Sequence, residues 1–391
     1  MTNGAFAVRA GVVTPEETLE QGVVLVENGR IKEVRRDLAA DFAGTVVDGG
    51  PGSLLLPGFI DVHVHGGNGH DFMEANAEAF DAITAFHGRH GTTTMLATTV
   101  TAPKADLDRV LEAVAQYQQR QPSGAKLTGA HIEGPFISPK WPGAQNPAYI
   151  VPPNVDWVKD WVSRFPGVVK QVTLAPEREG ALEVISWLAS RGIIAACGHT
   201  DAKYDEIMAA VDHGLTQAVH TFNAMRGLHH REPGTVGAVL TDERIRAEVI
   251  ADGHHVHPAA IRLLTQTKRN RNLLLITDAI SAAGLGDGDY TLGGLDVVVK
   301  DGVARLKEGD SLAGSTLTMI DAFRFMVRRI GLGVAETSRM ASLYPAMQLG
   351  IDGETGSIEP GKKADLVLVD ADLRIRQVWV EGRSIHADAG R

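Results

Sequence analysis

The chain has 391 residues, 44% of them hydrophobic and 22% charged, with 48 acidic side chains against 38 Lys and Arg and a net charge of −10. That balance supplies a large core and excludes general disorder, while the negative charge argues against nonspecific nucleic-acid binding. Fifteen histidines beside one cysteine, Cys197, exclude a disulfide scaffold and direct any metal chemistry toward imidazole and carboxylate.

The N-terminal MTNGAFAVRAG lacks the basic-then-apolar pattern of a signal peptide, and no apolar run approaches the ~18 residues that span a bilayer. The expectation is a cytoplasmic protein with no membrane and no nucleic-acid partner. The first fifty residues alternate short β-rich runs with turns, and VVLVENGRIKEV, broken at Asn28-Gly29, predicts a hairpin. The last forty look alike, with ADLVLVD and IRQVWVEGR following a Glu359-Pro360-Gly361-Lys362 turn. Two such ends are most simply one β-sandwich domain, residues 1–56 and 357–391, divided around an insertion at 57–356.

Within the insertion, strand and helix patterns alternate. Candidate strands are 59–65, 92–98, 127–133, 171–177, 193–199, 217–222, 247–253 and 273–279. Amphipathic stretches such as ALEVISWLASR and AAIRLLTQTKR separate most of them. Eight strand–helix units predict an α/β fold, a (β/α)8 TIM-type barrel, with a doubly wound open sheet as the rival.

Acidic and imidazole residues collect at the C-terminal ends of these strands, where the loops of a barrel gather around one mouth. His63 and His65 end the first strand, spaced to share one face as metal ligands or as polar mouth residues. Asp61 continues that face, either as a carboxylate orienting a histidine or as a buried hydrogen-bonding group. Glu133 in HIEGPF follows His131 by two, and Gly134-Pro135 stops the strand. His199 and His220 supply two further imidazoles; with Glu133 they form the general pattern of a catalytic divalent site. Asp278 in ITDAI is either a helix N-cap or an acid–base beside bound water. Arg231, after His229 and His230, is a compact basic loop suited to an anion or simply surface. Of His254, His255 and His257, at least one is expected to be solvated. GLGDGD at 284–289 is not a dinucleotide fingerprint, because strand-like YTLGGLDVVV follows it rather than a helix. His87 and His90 are expected to pack or solvate. Leu312-Ala313-Gly314 bring bare backbone toward the mouth, where amides can meet a polar ligand.

Taken together, PGFIDVHVHG, HIEGPF, GHT, HTFNAM…REPG, ADGHHV, ITDA, LAGSTLTM and GKKADLVLVD resemble the amidohydrolase superfamily, and more closely its N-acetylglucosamine-6-phosphate deacetylase family, over essentially the whole chain. That resemblance implies Glu133, His199 and His220 as ligands of a catalytic divalent metal (zinc, iron or similar) and Asp278 as the acid–base. Some members lack the pair that His63 and His65 form and work with one metal, so the implied count here is one or two per subunit. Ala144, Gln145, Asn223, Ala224, Arg231, His255, Leu312, Ala313 and Gly314 are implied to bind the sugar phosphate. Gln145 stands where some members carry a histidine near the reacting amide. The resemblance also implies a homodimer with a shared phosphate site, through Arg231. The implied activity is hydrolysis of the acetamide of N-acetyl-D-glucosamine 6-phosphate, in amino-sugar catabolism and cell-wall recycling. The alternatives are deacetylation of the galactosamine epimer, cyclic-amide hydrolysis, or metal or sugar-phosphate binding without catalysis.

Overall fold

A computed structural model describes residues 4–120, 123–268, 272–309 and 311–388. Strands covered on both faces read as unbroken apolar runs, and TTTMLAT and LLLI are buried along their whole length. Eight such parallel strands form one sheet: Phe59–Asp61, Thr92–Thr98, Lys126–Glu133, Val169–Leu174, Ile194–Cys197, Leu215–Ala218, Arg246–Ile250 and Leu273–Ile276. Their spatial order follows chain order without the reversal that a doubly wound sheet requires. The two edges meet just past the strand ends. Asp278 N donates to His63 O at 2.9 Å, and His65 N donates to Ala279 O at 2.8 Å.

A helix follows each strand in turn: Ala77–Arg89, Lys104–Tyr117, Val155–Arg164, Ala181–Ser190, Tyr204–Asp212, Gly234–Thr241, Pro258–Thr267 and Met319–Phe325. The first begins where Asn76 caps Ala79 N at 2.9 Å, and it buries Phe80, Ile83 and Phe86 at helical spacing against the strands.

Both chain ends contribute to a second sheet. Leu54–Pro57 pairs in parallel with Phe6–Val13 on one side and antiparallel with Leu366–Val369 on the other. Val12, Val24, Ile31, Leu55, Leu366 and Trp379 form its separate small core. Asn28 and Gly29 both take positive φ, 52° and 76°, so the connection from Thr18–Glu27 to Arg30–Arg35 is a hairpin turn of the mirror-image type that suits strand twist. After the eighth parallel strand, Gly288–Leu292, Leu295–Lys300 and Val303–Leu306 make a three-stranded antiparallel sheet. It packs on Val100, Ile280 and Ala313 beside the mouth.

Several strands stop earlier than the pattern predicts. The first ends at Asp61, the fifth at Cys197, the sixth at Ala218 and the eighth at Ile276. His199, His220 and Asp278 leave extended geometry altogether, with φ of 45°, 28° and 51°. Such left-handed backbone is costly outside glycine and concentrates at functional sites. At the first strand the ladder gives way to a side-chain bond, as Val64 N donates to Thr98 Oγ1 at 2.9 Å. The expected histidine ligands and Asp278 therefore stand just beyond the strands, while Glu133 is the last residue of its own.

Candidate active site

Glu133 ends the third strand and is almost fully buried. Its Oε1 lies 3.1 Å from His220 Nε2, 3.2 Å from His63 Nε2 and 3.5 Å from His199 Nε2. Its Oε2 lies 3.4 Å from His65 Nε2 and accepts from Gln145 Nε2 at 2.6 Å. Asp278 Oδ1 reaches His65 Nε2 at 3.1 Å and His63 Nε2 at 3.6 Å. Six imidazole and carboxylate side chains from five stretches of sequence thus meet at one point, with Gln145 beside them.

Their charges are interdependent. Burial alone would strip the proton from His63 and His65, but the carboxylates of Glu133 and Asp278 outweigh it. Both imidazoles are held above their ordinary value, His65 at about 9. Burial would likewise raise the two acids; the facing imidazoles instead hold Glu133 well below the usual carboxylate range and Asp278 at about 2.

The cluster suits a divalent cation. Three overlapping groups (Glu133 with His199 and His220; His63 with His65 and Glu133; His63 with His220 and Asp278) each gather one ligand atom per residue within 4.8 Å of one another. Although His63 Nε2 is close to Glu133, it is not aligned as a hydrogen bond, so it is a buried nitrogen without a partner. Nitrogen and carboxylate oxygen are the donor set of zinc, iron or manganese sites. His199 is oriented from behind, its Nδ1 lying 3.0 Å from Trp141 O.

A cavity of about 380 Å³ opens on this cluster, within the range of small-molecule sites. Ala144 and Gln145 line one wall, Asn223, Ala224 and His255 another, and Leu312 and Gly314 a third. Ala313 is buried away from the cavity, and its amide already donates to Ala304 O at 3.1 Å. Its expected role as a ligand-facing amide is therefore replaced by strand-like pairing. Arg231 also lies off the cavity within this chain, exposed and 2.8 Å from His230 Nε2. Of the three late histidines, His255 lines the cavity with its Nδ1 2.6 Å from Asp252 Oδ2, while His257 caps the helix Pro258–Thr267. His87 is buried on Gly66 O at 2.9 Å, and burial pushes its pKa down to about 4.

Asp61 touches no imidazole ring. Its Oδ2 accepts from Thr277 Oγ1 at 2.6 Å, tying the first strand to the eighth, and burial pushes its pKa up to about 7. The carboxylate that does meet a histidine from behind is Glu248, 2.9 Å from His63 Nδ1. Sequence reasoning missed Glu248 and its partners Gln171 and Gln217. The available signal was a polar residue inside each of three otherwise buried strands, VKQVTL, LTQA and RAEVI.

Comparison with known proteins agrees with this geometry. The amidohydrolase family model matches residues 54–385. N-acetylgalactosamine-6-phosphate deacetylase of Escherichia coli O157:H7 is 43% identical over 330 residues, 84% of this chain and 87% of its own. N-acetylglucosamine-6-phosphate deacetylase of Bacillus subtilis (strain 168) is 38% identical over 367 residues, 93% of this chain and 92% of its own. Among solved structures, a mutant N-acetyl-D-glucosamine-6-phosphate deacetylase from Mycobacterium smegmatis, in complex with N-acetyl-D-glucosamine-6-phosphate, has a TM-score of 0.92 at 37% identity, covering 97% of this chain and 99% of that one. With the match running through all eight parallel strands and the imidazoles and carboxylates at their ends, the chain belongs to the amidohydrolase family.

Proposed function

We propose that the protein hydrolyses the acetamide of N-acetyl-D-glucosamine 6-phosphate to D-glucosamine 6-phosphate and acetate, a step of amino-sugar catabolism and cell-wall recycling. One observation carries the reading: Glu133 from a strand end and His199, His220 and Asp278 from three loops face a single cavity. The deacetylases of Bacillus subtilis and Mycobacterium smegmatis support the substrate class.

Glu133, His199 and His220 would hold one divalent cation, zinc, iron or similar, and His63 and His65 with Glu133 a second. Such a cation supplies Lewis acidity and brings the pKa of a water from ~16 toward ~7. Asp278, ionised because the imidazoles hold it at about 2, takes a proton from the attacking water. The water oxygen bonds to the acetyl carbon as this happens. Asp278 then gives the proton to the amide nitrogen, and the carbon–nitrogen bond breaks to leave amine and acetate. Gln145 is fixed by two bonds, its Nε2 to Glu133 and its Oε1 accepting from Thr101 N at 2.6 Å. It orients the carboxylate and carries no proton.

His255, Asn223, Ala224 and the backbone at Leu312 and Gly314 would hold the sugar phosphate. Arg231, exposed and off its own cavity, would complete the phosphate site of a second copy in a homodimer. A monomer by sedimentation at working concentration would overturn that shared site. Residues 1–56 and 357–391 would form the β-sandwich domain and 57–356 the barrel, a reading supported by the sheet that joins the chain ends. Among the described residues no helix is long and apolar enough to cross a membrane; we place the enzyme in the cytoplasm.

A second reading, deacetylation of the galactosamine epimer, is favoured by the 43% identity to the Escherichia coli relative. Metal analysis followed by acetate release on both epimeric phosphates, and on unphosphorylated N-acetylglucosamine, decides. Faster release from the glucosamine phosphate is expected, with little from the unphosphorylated sugar. Bound metal and sugar without acetate would make this a binding protein, and equal rates without the phosphate would remove the phosphate pocket.

A further inference from the structure

Beneath the ligand cluster the interior turns polar where a parallel barrel ordinarily packs branched apolar side chains. Gln171 from the fourth strand, Gln217 from the sixth and Glu248 from the seventh meet there, all fully buried. Glu248 Oε1 accepts from Gln171 Nε2 at 3.0 Å and from Gln217 Nε2. Gln217 Nε2 also lies 3.1 Å from Gln171 Oε1, so the two amides are held to each other as well. The remaining oxygen, Oε2, has one partner, His63 Nδ1 at 2.9 Å. His131 packs edge-on against the His63 ring, with centroids 4.6 Å apart at 83°, and leaves the ring little room to turn.

Burying a carboxylate costs several kcal/mol unless donors surround it. Glu248 receives two amide donors, and the third must be the Nδ1–H of His63, because a carboxylate oxygen can only accept. With one proton fixed at Nδ1, the proton that His63 gives up when a cation binds is the one at Nε2, and the lone pair it leaves belongs to the buried atom that faces Glu133 and Asp278 without a hydrogen-bond partner. Among the other imidazoles only His199 is set comparably, by the Trp141 carbonyl rather than a carboxylate, and it belongs to the outer group with Glu133 and His220; the Nδ1 atoms of His65 and His220 are buried without a hydrogen-bond partner.

We propose that Glu248, braced by Gln171 and Gln217, is the positioning residue of the inner cation site, fixing His63 as the Nδ1–H tautomer so that His63, His65 and Glu133 can bind a divalent ion. The proposal rests on the two-cation reading given above. Partners behind a ligating histidine typically contribute 10- to 100-fold in metal affinity. The outer group of Glu133, His199 and His220 does not depend on Glu248.

The test titrates Zn²⁺ into metal-free protein and counts bound ions, for wild type and for Glu248→Gln. In the variant one side-chain nitrogen must point at a donor, so the acceptor for His63 Nδ1–H is lost or contested. Wild type is expected to take two Zn²⁺ per chain, and Glu248→Gln to take one at unchanged affinity and the other at least tenfold more weakly. Nitrogen-15 spectra of histidine-labelled, metal-free protein, taken at a pH where His63 is neutral, are expected to show its proton on Nδ1 in wild type and not in the variant. Two Zn²⁺ at wild-type affinities in Glu248→Gln would overturn the proposal. If wild type takes only one Zn²⁺, the two-cation reading fails by itself; the spectra then decide, an identical His63 tautomer in both proteins counting against Glu248. Should Glu248→Gln not fold, Glu248→Asp keeps the charge but withdraws it by one methylene, and the same weakening of one Zn²⁺ is expected.

Discussion

Asp278 is constrained twice. Its side chain lies against His63 and His65, while its backbone holds φ at 51° with Asp278 N bonded to His63 O and Asp278 O accepting from Ser315 N at 2.7 Å. Local strain of this kind persists only where surrounding bonds over-determine it. Gly314 is part of that frame: a Cβ there would stand 2.8 Å from Asp278 O, so the close approach requires glycine. Asp278 is not a member of the Glu133, His199 and His220 group, so proton transfer can be tested apart from cation binding there. Asp278→Asn keeps the shape and the backbone bonds but cannot accept the proton. Turnover is expected to fall by about 10²–10⁴, the usual worth of a positioned acid–base, with the metal bound at Glu133, His199 and His220 largely retained. Near wild-type turnover with unchanged metal content would remove Asp278 from its role.

At the scale of elements, buried groups between helices and strands give the fold a measurable pH response. Lys268, just after the helix Pro258–Thr267, is 3% exposed and donates to Asp242 O at 2.6 Å and Ile245 O at 2.8 Å, pinning the turn before the seventh strand. Burial pulls its pKa down from 10.5 to about 8, against the opposing pull of Asp242 and Glu243. Between those values the unfolded chain holds a proton that the folded chain has released. Stability therefore rises with pH across that window on account of this group. The denaturant midpoint of wild type relative to Lys268→Met is expected to climb between pH 8 and 10; a flat difference would contradict the shift. The same elements mark where sequence reasoning stops. Alternation of apolar strands with amphipathic helices was enough to order the eight units, because both-face burial leaves unbroken apolar runs. It placed His199, His220 and Asp278 on strands, since propensity cannot register a single left-handed residue. It passed over Glu248, Gln171 and Gln217 because an isolated polar residue in an apolar run has no local partner; its bonds lie on other strands. For Asp61 the two readings stayed open for the same reason, and it is the buried hydrogen-bonding group, with its partner Thr277 216 residues away.

For the molecule as a whole, the chain ends are structural rather than peripheral. Leu54–Pro57 is paired on both sides, by Phe6–Val13 and by Leu366–Val369, and it leads directly into the first parallel strand at Phe59. Trp379 closes the small core and stacks on Phe6, with ring centroids 5.8 Å apart. Removing residues 357–391 would strip one side of Leu54–Pro57 and expose that core, and bare apolar edges template aggregation. The truncated chain is expected to be insoluble or to lose a cooperative thermal transition, as read by calorimetry and sedimentation. A soluble truncation with a wild-type melting profile would show that the ends are dispensable.

The bond from Asp278 to His63 has a meaning beyond geometry, because the ring of parallel strands is sealed through the very residues that do the chemistry. The first and last strands are the pair farthest apart in the chain, so the candidate site is closed by the longest-range contact in the ring. Loosening of that seam is expected to reach the site first: on heating, acetate release should fall before the helical circular dichroism signal, and coincident loss would contradict this.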